Sequence, residues 1–347
     1  MRTTENVATD LLLIEHQQPS AEWLKASREE VLEPDLPIID AHHHFSEHWG
    51  GYFPDELLED GAGHRIESTV YVQCGWSYRK QGSVALQPVG ETESVVAITK
   101  DANQRQKNTR IAAGIVGYAD LRLGEAVSEV LAAQVAAGDG RFRGIRNSGA
   151  FHPTFKHGVL PRAMQGLYGD AAFRAGYAQL ARHGLSFDAW VYHPQIREVL
   201  DLASAFPETT LVLDHIGGVL GVADYEGRAD RARLEWLPWL RHLAECPNVV
   251  VKLGGLGTAV FGYGFAQRAQ PPSSQILADA WRPWFDPVIE AFGPERCMFE
   301  SNFPVDRSAA GYGVVWNAFK RLAAGASAED KHWLFKETAA KVYRLGA

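Results

Sequence analysis

Short apolar segments alternate with longer stretches of helical pattern along most of this chain, and this alternation restricts the fold more than any other feature. Strands that are joined through helices pair in parallel, because the connection must cross back over the sheet. Counted along the sequence, the strand candidates number eight. They are Ile38–Ala41, Ser68–Cys74, Ile111–Tyr118, Phe142–Arg146, Ser186–Tyr192, Thr210–Leu213, Val249–Leu253 and Cys297–Ser301.

Eight such units favour a closed (β/α)8 barrel, the TIM barrel, over an open doubly wound sheet. The first candidate strand is not followed by the Gly-rich fingerprint that binds phosphates in doubly wound folds. The sequence therefore predicts an α/β protein with long loops after its strands, a barrel domain in residues 37–347 and an N-terminal extension in residues 1–36. Ser20 is a plausible N-cap of a short helix in that extension, which we expect to pack on the outside of the barrel.

Composition and charge restrict the class of partner. Hydrophobic residues make up 46% and charged residues 22% of the 347, as in soluble globular proteins. The net charge of −8 is spread without a basic stripe, so we expect no nucleic-acid partner. Cys74, Cys246 and Cys297 lie far apart, which argues against a disulfide framework and a thiolate zinc site. No apolar run is long enough for a signal peptide or a membrane span, and we expect a cytoplasmic protein without a membrane partner.

The first candidate strand runs directly into three consecutive histidines. If the strand continues, its period of two places His42 and His44 on one face and His43 on the other. Two imidazoles on one face suit a divalent metal such as zinc, manganese or iron. A polar loop with an accidental cluster is the alternative, so these residues alone leave a metal site open.

Chemically useful side chains recur where the other strands are predicted to end. Catalytic groups of TIM barrels come from the carboxyl ends of the strands and the loops that follow. The candidates at these positions are Gln73, Trp76, Asp120, Arg122, Arg143, Arg146, Tyr192, His193, Asp214, His215, Lys252, Glu300, Asn302 and Asp306. We expect these strand ends to form the functional site.

Two arginines and two aromatic residues are candidates for contact with substrate. The spacing of Arg143 and Arg146 does not place both on one face of a strand. Either one could point inward to bind a carboxylate or polarise a carbonyl, and the alternative is that both brace the outer helices. Trp76 and Tyr192 could form a pocket wall.

Six short motifs follow one another in a fixed order. They are Asp40-Ala41-His42-His43-His44, Gly144-Ile145-Arg146, His193-Pro194, Asp214-His215-Ile216-Gly217-Gly218, Val251-Lys252-Leu253-Gly254-Gly255 and Glu300-Ser301-Asn302-Phe303-Pro304. As an ordered set they resemble the amidohydrolase superfamily of TIM-barrel hydrolases, in the branch of sugar lactonases and pyrone dicarboxylate lactonases. Metal-dependent decarboxylases are more distant relatives. The resemblance extends from Leu36 to Leu345.

The resemblance implies roles for four histidines and for one position in the eighth strand. It makes His42 and His44 a metal pair, and it makes His193 and His215 ligands of the metal or contacts of the substrate. Members of the family usually carry an aspartate, as metal ligand and general base, where this chain has Asn302. An amide coordinates weakly and is not basic near neutral pH, so another group must accept the proton or the reaction does not need that base.

Two carboxylates could replace the absent aspartate. Glu300 has the strand parity of Asn302 and would point into the barrel, where it could bind a metal or transfer a proton. The alternative is a buried structural acid that pairs with Lys252 or Arg143, since a lysine inside a barrel is costly unless it is paired. Asp214 is the second candidate base. For Asp306 we expect a solvated side chain that pairs with Arg307.

We therefore predict a hydrolase that attacks a cyclic ester (lactone) or amide carbonyl of a small, carboxylate-bearing substrate. One divalent metal would be held by His42, His44 and one or both of His193 and His215, with zinc as the first candidate and manganese or iron as the others. A metal-free enzyme in which arginines polarise a lactone carbonyl stays open.

Three other functions fit the same sequence. A non-oxidative decarboxylase would use the same metal, and so would an oxidative iron or manganese enzyme. A non-catalytic subunit on an enzyme fold is the alternative from another class, since fold does not fix function. The sequence does not specify the substrate, and it leaves both a homo-oligomer and a complex with a related subunit open.

Overall fold

The computed structural model describes residues 12–14, 18–105, 108–157 and 163–346. Eight parallel strands form one sheet in which each strand pairs with its neighbours in the chain. These strands are Pro37–His43 (β1), Arg65–Val72 (β2), Arg110–Gly117 (β3), Phe142–Arg146 (β4), Ser186–Ala189 (β5), Leu211–Leu213 (β6), Val249–Leu253 (β7) and Cys297–Phe299 (β8). The order and direction confirm the predicted (β/α)8 barrel.

The barrel closes between its first and last strands, just beyond the end of β8. His43 and Phe303 form a parallel bridge there. The backbone N–H of Asn302 donates to the carbonyl of His42 at 2.9 Å, and the N–H of His44 donates to the carbonyl of Phe303 at 2.7 Å. The first and last strands therefore meet at the level of the histidines.

Helices follow the strands and cover the outside of the barrel. The α-helices are Ala21–Lys25 (α1), Pro54–Asp60 (α2), Val89–Arg105 (α3), Val127–Ala137 (α4), Ala171–Arg182 (α5), Ile196–Ala205 (α6), His215–Gly218 (α7), Ala229–Ala244 (α8), Ser274–Phe292 (α9), Tyr312–Leu322 (α10), Ala328–His332 (α11) and Thr338–Val342 (α12), with a π-helical turn at Trp333–Glu337. Short 3₁₀ turns occupy Val84–Leu86, Leu121–Ala126, Leu167–Gly169, His193–Gln195, Ala223–Tyr225, Ala259–Phe261, Phe265–Gln267, Pro294–Arg296 and Val305–Ser308. Among the described residues, no helix has the length and apolar character needed to cross a membrane.

The hydrophobic core has two layers, one between the helices and the outer face of the sheet and one inside the barrel. The inner layer is built from small and β-branched residues such as Ala41, Val72 and Val212, which fit the narrow interior of an eight-stranded barrel. Tyr343 and Leu345 from the C-terminal segment join this layer. The inner layer therefore forms an apolar floor beneath the strand ends.

A β-bulge in β1 decides which side chains of the histidine motif point into the barrel. The register with β2 shifts between Asp40 and His43. Asp40 consequently points outward, where it accepts hydrogen bonds from the Ser301 hydroxyl at 2.6 Å and from the Tyr312 hydroxyl at 3.0 Å. Bulges are known to re-aim side chains beside active sites, and this one turns His42 inward.

The described part of the N-terminal extension contacts the outer helices. Ser20 caps α1, as the sequence predicts, by accepting a hydrogen bond from the backbone of Trp23. Leu32 donates its backbone N–H to Asn317 on α10 at 2.9 Å, and Ser274 on α9 donates its N–H to Glu29 at 2.7 Å. The division at residue 36 stays a prediction, and residues 1–11 and 15–17 lie outside the described part. Leu12–Ile14 pairs in parallel with Phe155–His157.

Candidate active site

His42 and His44 face each other inside the barrel. Their Nε2 atoms lie 3.2 Å apart, and both side chains are buried. The Nδ1 of His44 donates to the carbonyl of Val72 at 2.7 Å, and the Nδ1 of His42 lies 2.8 Å from a carboxylate oxygen of Glu300. The carbonyl of Val72 holds the ring proton of His44 on Nδ1, which leaves the Nε2 lone pair of His44 directed toward His42.

Glu300 also contacts a third histidine. One carboxylate oxygen lies 2.5 Å from the Nδ1 of His215, while the other is the oxygen that faces His42. The rings of His42 and His215 lie 4.8 Å apart between centroids. Burial alone would raise the pKa of Glu300, but His215 and His42 lower it to about 2. Glu300 is therefore an ionised carboxylate that bridges two imidazoles.

Two consecutive glycines let β7 approach this cluster. A Cβ atom on Gly255, whose φ is +73°, would collide with the ring of His215. A Cβ atom on Gly254 would collide with the backbone of Glu300. This close approach requires glycine at both positions, so the Gly-Gly motif after β7 is part of the construction of the site.

A buried ion-pair network lies beneath the histidines. The Nζ of Lys252 lies 2.7 Å from Asp188, 3.1 Å from Asp214 and 3.1 Å from the Nδ1 of His42, and all four side chains are fully buried. Burial lowers the pKa of Lys252, but the two carboxylates raise it above its ordinary value. Burial raises the pKa of Asp188 to about 6 in spite of the lysine. Asp188 also accepts a hydrogen bond from the Tyr343 hydroxyl at 2.7 Å.

Arg146 brings a second cation to the histidine pair. One guanidinium nitrogen lies 3.3 Å from the Nε2 of His42 and 3.6 Å from Asp214. The other terminal nitrogen donates to the backbone carbonyl of Gln73. The guanidinium therefore occupies the edge of the space that the Nε2 lone pairs face.

Asn302 lies beyond the end of β8 and does not have the conformation of a strand residue. Its φ is +52°, and its amide nitrogen lies 2.8 Å from Asp306 and 3.3 Å from the hydroxyl of Thr258. The expected solvated pairing of Asp306 with Arg307 is wrong, because Asp306 is buried and Arg307 pairs with Asp60 at 3.2 Å. Asp306 points toward the site and binds Asn302, the residue at the position where the family resemblance implies an aspartate.

The sequence of this chain matches the family model described as Amidohydrolase over residues 39–345. The chain is an amidohydrolase. The L-fucono-1,5-lactonase of Burkholderia multivorans is 30% identical over 88% of this chain and 96% of its own length. The uncharacterised protein y4mH of Sinorhizobium fredii is also 30% identical, over 90% of this chain and 99% of its own length. A zinc-bound crystal structure of an amidohydrolase from Burkholderia multivorans has a TM-score of 0.66 and 26% identity, and it covers 89% of this chain and 99% of that one.

Arg143 of this amidohydrolase lies away from the histidine cluster. It donates to the backbone carbonyl of Gly140 at 2.8 Å, and Arg344 and Arg110 are the charged residues near it. Arg146 points inward instead, as expected from a spacing of three residues in a strand. Of the two arginines, the structure brings only Arg146 to the candidate active site.

His193 lies apart from the other three candidate ligands. The strand predicted to run to Tyr192 ends at Ala189, so His193 belongs to a turn rather than to a strand end. Its Nδ1 accepts a hydrogen bond from the backbone of Leu220 at 3.2 Å, and its ring contacts that of Tyr225 at 4.6 Å. Burial lowers its pKa to about 4. In this position His193 anchors the segment that follows β6.

The aromatic candidates surround the cluster at different distances. The ring centroid of Trp190 lies 4.8 Å from that of His215. Tyr192 packs against Trp190 at 5.8 Å. Trp76 donates its indole N–H to Glu47 at 2.5 Å and so joins the loops after β1 and β2. Trp190 forms the nearest part of this wall, and Tyr192 supports it.

Sequence reasoning missed Asp188, the main partner of Lys252. An acid between Phe187 and Ala189 in a short apolar strand was the available signal. A charge in such a strand must be buried, and it then requires a partner of opposite charge.

Proposed function

We propose that this amidohydrolase hydrolyses the lactone of a hydroxylated sugar acid with the help of one divalent metal, with zinc as the first candidate. The observation that carries the proposal is the pair of Nε2 atoms 3.2 Å apart on His42 and His44, two buried imidazoles on one side of β1. Two imidazole nitrogens bound to one tetrahedral zinc are separated by roughly 3.3 Å, given Zn–N bonds of about 2.0–2.1 Å. The donors present fit the metal.

The relatives support a neutral lactone as substrate. Two proteins similar to this chain are named L-fucono-1,5-lactonase and L-rhamnono-gamma-lactonase. The guanidinium of Arg146 already faces Asp214 at 3.6 Å and the backbone of Gln73. We therefore assign Arg146 to the lactone carbonyl oxygen, through a hydrogen bond from its guanidinium, rather than to a substrate carboxylate.

The metal would be held by His42, His44 and His215. When bound, it polarises the carbonyl and lowers the pKa of water at the site. Glu300 keeps two of the imidazoles in the tautomer that presents Nε2, which is the usual work of a carboxylate behind metal-binding histidines. One of its oxygens lies 2.8 Å from the Nδ1 of His42, and the other lies 2.5 Å from the Nδ1 of His215.

Asp214 is the better candidate to accept the proton of the attacking water. Its oxygens lie 3.1 Å from Lys252 and 3.6 Å from Arg146, contacts longer than those that engage Glu300. Burial alone would raise the pKa of Asp214, but Lys252 and then His215 lower it, so the group is ionised near neutral pH. Asn302 has no basic group and takes no proton.

A panel of lactones tests the proposal. Five- and six-membered lactones of six-carbon aldonic and deoxyaldonic acids would be incubated with the enzyme, and acid release would be followed with a pH indicator. We expect turnover of at least one lactone, with a preference among stereoisomers that differ at a hydroxyl. Removal of metal with a chelator should abolish turnover, and added zinc should restore it.

Failure to hydrolyse any of these lactones would contradict the proposal. Full turnover by the chelator-treated enzyme would favour a second candidate, a lactonase in which Arg146 polarises the carbonyl without a metal. The 3.3 Å contact between Arg146 and the Nε2 of His42 is the observation that favours it.

Replacement of Glu300 by glutamine should weaken metal binding by about 10- to 100-fold. The amide oxygen can accept a hydrogen bond from only one of the two imidazoles. The amide nitrogen would donate to the Nδ1 of the other ring, whose proton would then lie on Nε2 and block metal binding there. Competition of zinc between protein and a chromogenic chelator measures the affinity. Glu295→Gln, at an exposed position, is the matched control. Unchanged zinc affinity in Glu300→Gln would show that the carboxylate does not set these tautomers.

A further inference from the structure

Both amide protons of Asn302 have acceptors. The amide nitrogen lies 2.8 Å from Oδ1 of Asp306 and 3.3 Å from the hydroxyl oxygen of Thr258, and all three side chains are buried. The nitrogen of the amide, rather than its oxygen, is the donor in both contacts. The orientation of the amide is thereby defined, and its oxygen is directed away from both partners.

Asp306 is itself held rigidly. Its second oxygen accepts the backbone N–H of Gly257 at 3.0 Å, and the hydroxyl of Thr258 donates to the first at 3.4 Å. The backbone N–H of Asp306 donates to the carbonyl of Asn302 at 3.1 Å. Asp306, Thr258 and Asn302 therefore form a closed ring of hydrogen bonds that joins the loops after β7 and β8.

The ring lies beside the histidine cluster. The backbone N–H of Asn302 is bonded to the carbonyl of His42, and Asn302 holds a left-handed conformation at φ +52°. Non-glycine residues keep this conformation where the surroundings impose it, often at functional sites.

We propose that Asp306 is a positioning residue that, together with Thr258, fixes the amide of Asn302 so that its oxygen accepts a hydrogen bond from an O–H group in the site. The O–H donor is a hydroxyl of the bound lactone or the attacking water, and the inference rests in this respect on the proposed function. An aspartate at position 302 would place a second carboxyl group at hydrogen-bond distance from Asp306, where both could not be ionised without repulsion. Asp306 thus accounts for an amide at this position.

A double-mutant cycle tests whether Asp306 acts through Asn302. Asp306→Asn should lower kcat/KM by roughly tenfold in the native background. The amide of Asn302 then loses its carboxyl acceptor, and its oxygen and nitrogen can exchange places. In the Asn302→Ala background the same substitution should cost less than about twofold, since no amide is left to orient. A rise in KM would assign the bond to a substrate hydroxyl, and a fall in kcat would assign it to the attacking water.

Thr258 supplies the matched pair of variants. Thr258→Val removes the second acceptor of the amide and should lower kcat/KM, whereas Thr258→Ser keeps the hydroxyl and should restore it. Thermal unfolding of every variant should be measured as well, because it reports how much the ring of hydrogen bonds contributes to stability. Additive losses of kcat/KM in the cycle would overturn the proposal, because a purely structural Asp306 would slow the Asn302→Ala variant as well.

Side-chain amide NMR tests the orientation without substrate. In the ¹⁵N-labelled protein, the NH₂ signals of Asn302, assigned by their loss in Asn302→Ala, should exchange slowly with solvent, and Asp306→Asn should accelerate the exchange. Fast exchange in the native protein would overturn the inference. A native enzyme that hydrolyses no lactone would contradict the proposed function instead, and the NMR result would then decide the inference alone.

Discussion

Replacement of His42 and His44 together by alanine is expected to lower lactone hydrolysis by roughly 10³-fold or more, which corresponds to about 4 kcal/mol of transition-state stabilisation. The two Nε2 atoms 3.2 Å apart are the core of the proposed metal site, and a single remaining imidazole from His215 binds a divalent metal poorly. Bound zinc, measured by plasma emission spectrometry on untagged protein, should fall to the background together with kcat.

His48→Ala is the matched control for that pair. His48 is exposed and lies four residues after His44 in the same segment of the chain. We expect it to keep both its metal and its turnover. Native turnover by the His42→Ala, His44→Ala enzyme would contradict the site, whereas loss of turnover with full zinc content would place the metal elsewhere.

Replacement of Lys252 by methionine is expected to cost about 3–5 kcal/mol of the free energy of unfolding. Its ammonium group is fully buried between Asp188 at 2.7 Å and Asp214 at 3.1 Å, and its removal leaves two carboxylates in the barrel without their cation. Urea unfolding followed by circular dichroism measures the change. Lys336→Met, which removes a partly exposed ion pair with Glu67, should cost less than about 1 kcal/mol.

The loss in Lys252→Met should depend on pH. Burial already raises the pKa of Asp188 to about 6 in the native protein, and removal of the lysine raises it further. A carboxyl whose folded pKa exceeds its unfolded value favours folding below the unfolded pKa, and this contribution is lost as the pH rises through the folded pKa. The deficit should therefore be small at acid pH, and it should grow as the pH rises through 6 toward the higher pKa of Asp188 in the variant. A deficit independent of pH would show that removal of the lysine leaves the pKa values of the two carboxyl groups unchanged.

The fold could be predicted because eight apolar segments alternate with helical stretches, and each strand then pairs with its neighbour in the chain. The placement of His42 and His44 on the same face of the strand also follows from its period of two. The outward turn of Asp40 does not, because a bulge shifts the register by an amount that the β1 sequence alone does not reveal. Local periodicity predicts faces only while a strand stays regular.

Longer-range contacts explain the other differences between expectation and structure. His193 lies apart from the cluster because β5 ends at Ala189, and the end of a strand depends on the neighbouring strands with which it pairs. Asp306 turns inward because Gly257 in the loop after β7 and the amide of Asn302 donate hydrogen bonds to it there. The neighbouring Arg307 gives no reason to expect these contacts from the sequence. The partner of Lys252 came from β5, two strands away in the barrel and 64 residues earlier in the chain, a separation that sequence spacing does not reveal.

The closure of the barrel beside His42 has a consequence for the order in which the protein is made. The histidines of β1 leave the ribosome early, whereas Asn302 and Phe303, which hold the backbone of that segment in place, leave it near the end. A nascent chain therefore carries these imidazoles for most of its synthesis without the last strand that aligns them. If the proposed metal site is correct, loading of the cation would follow completion of the chain, and a fragment without the eighth strand would be unable to retain one.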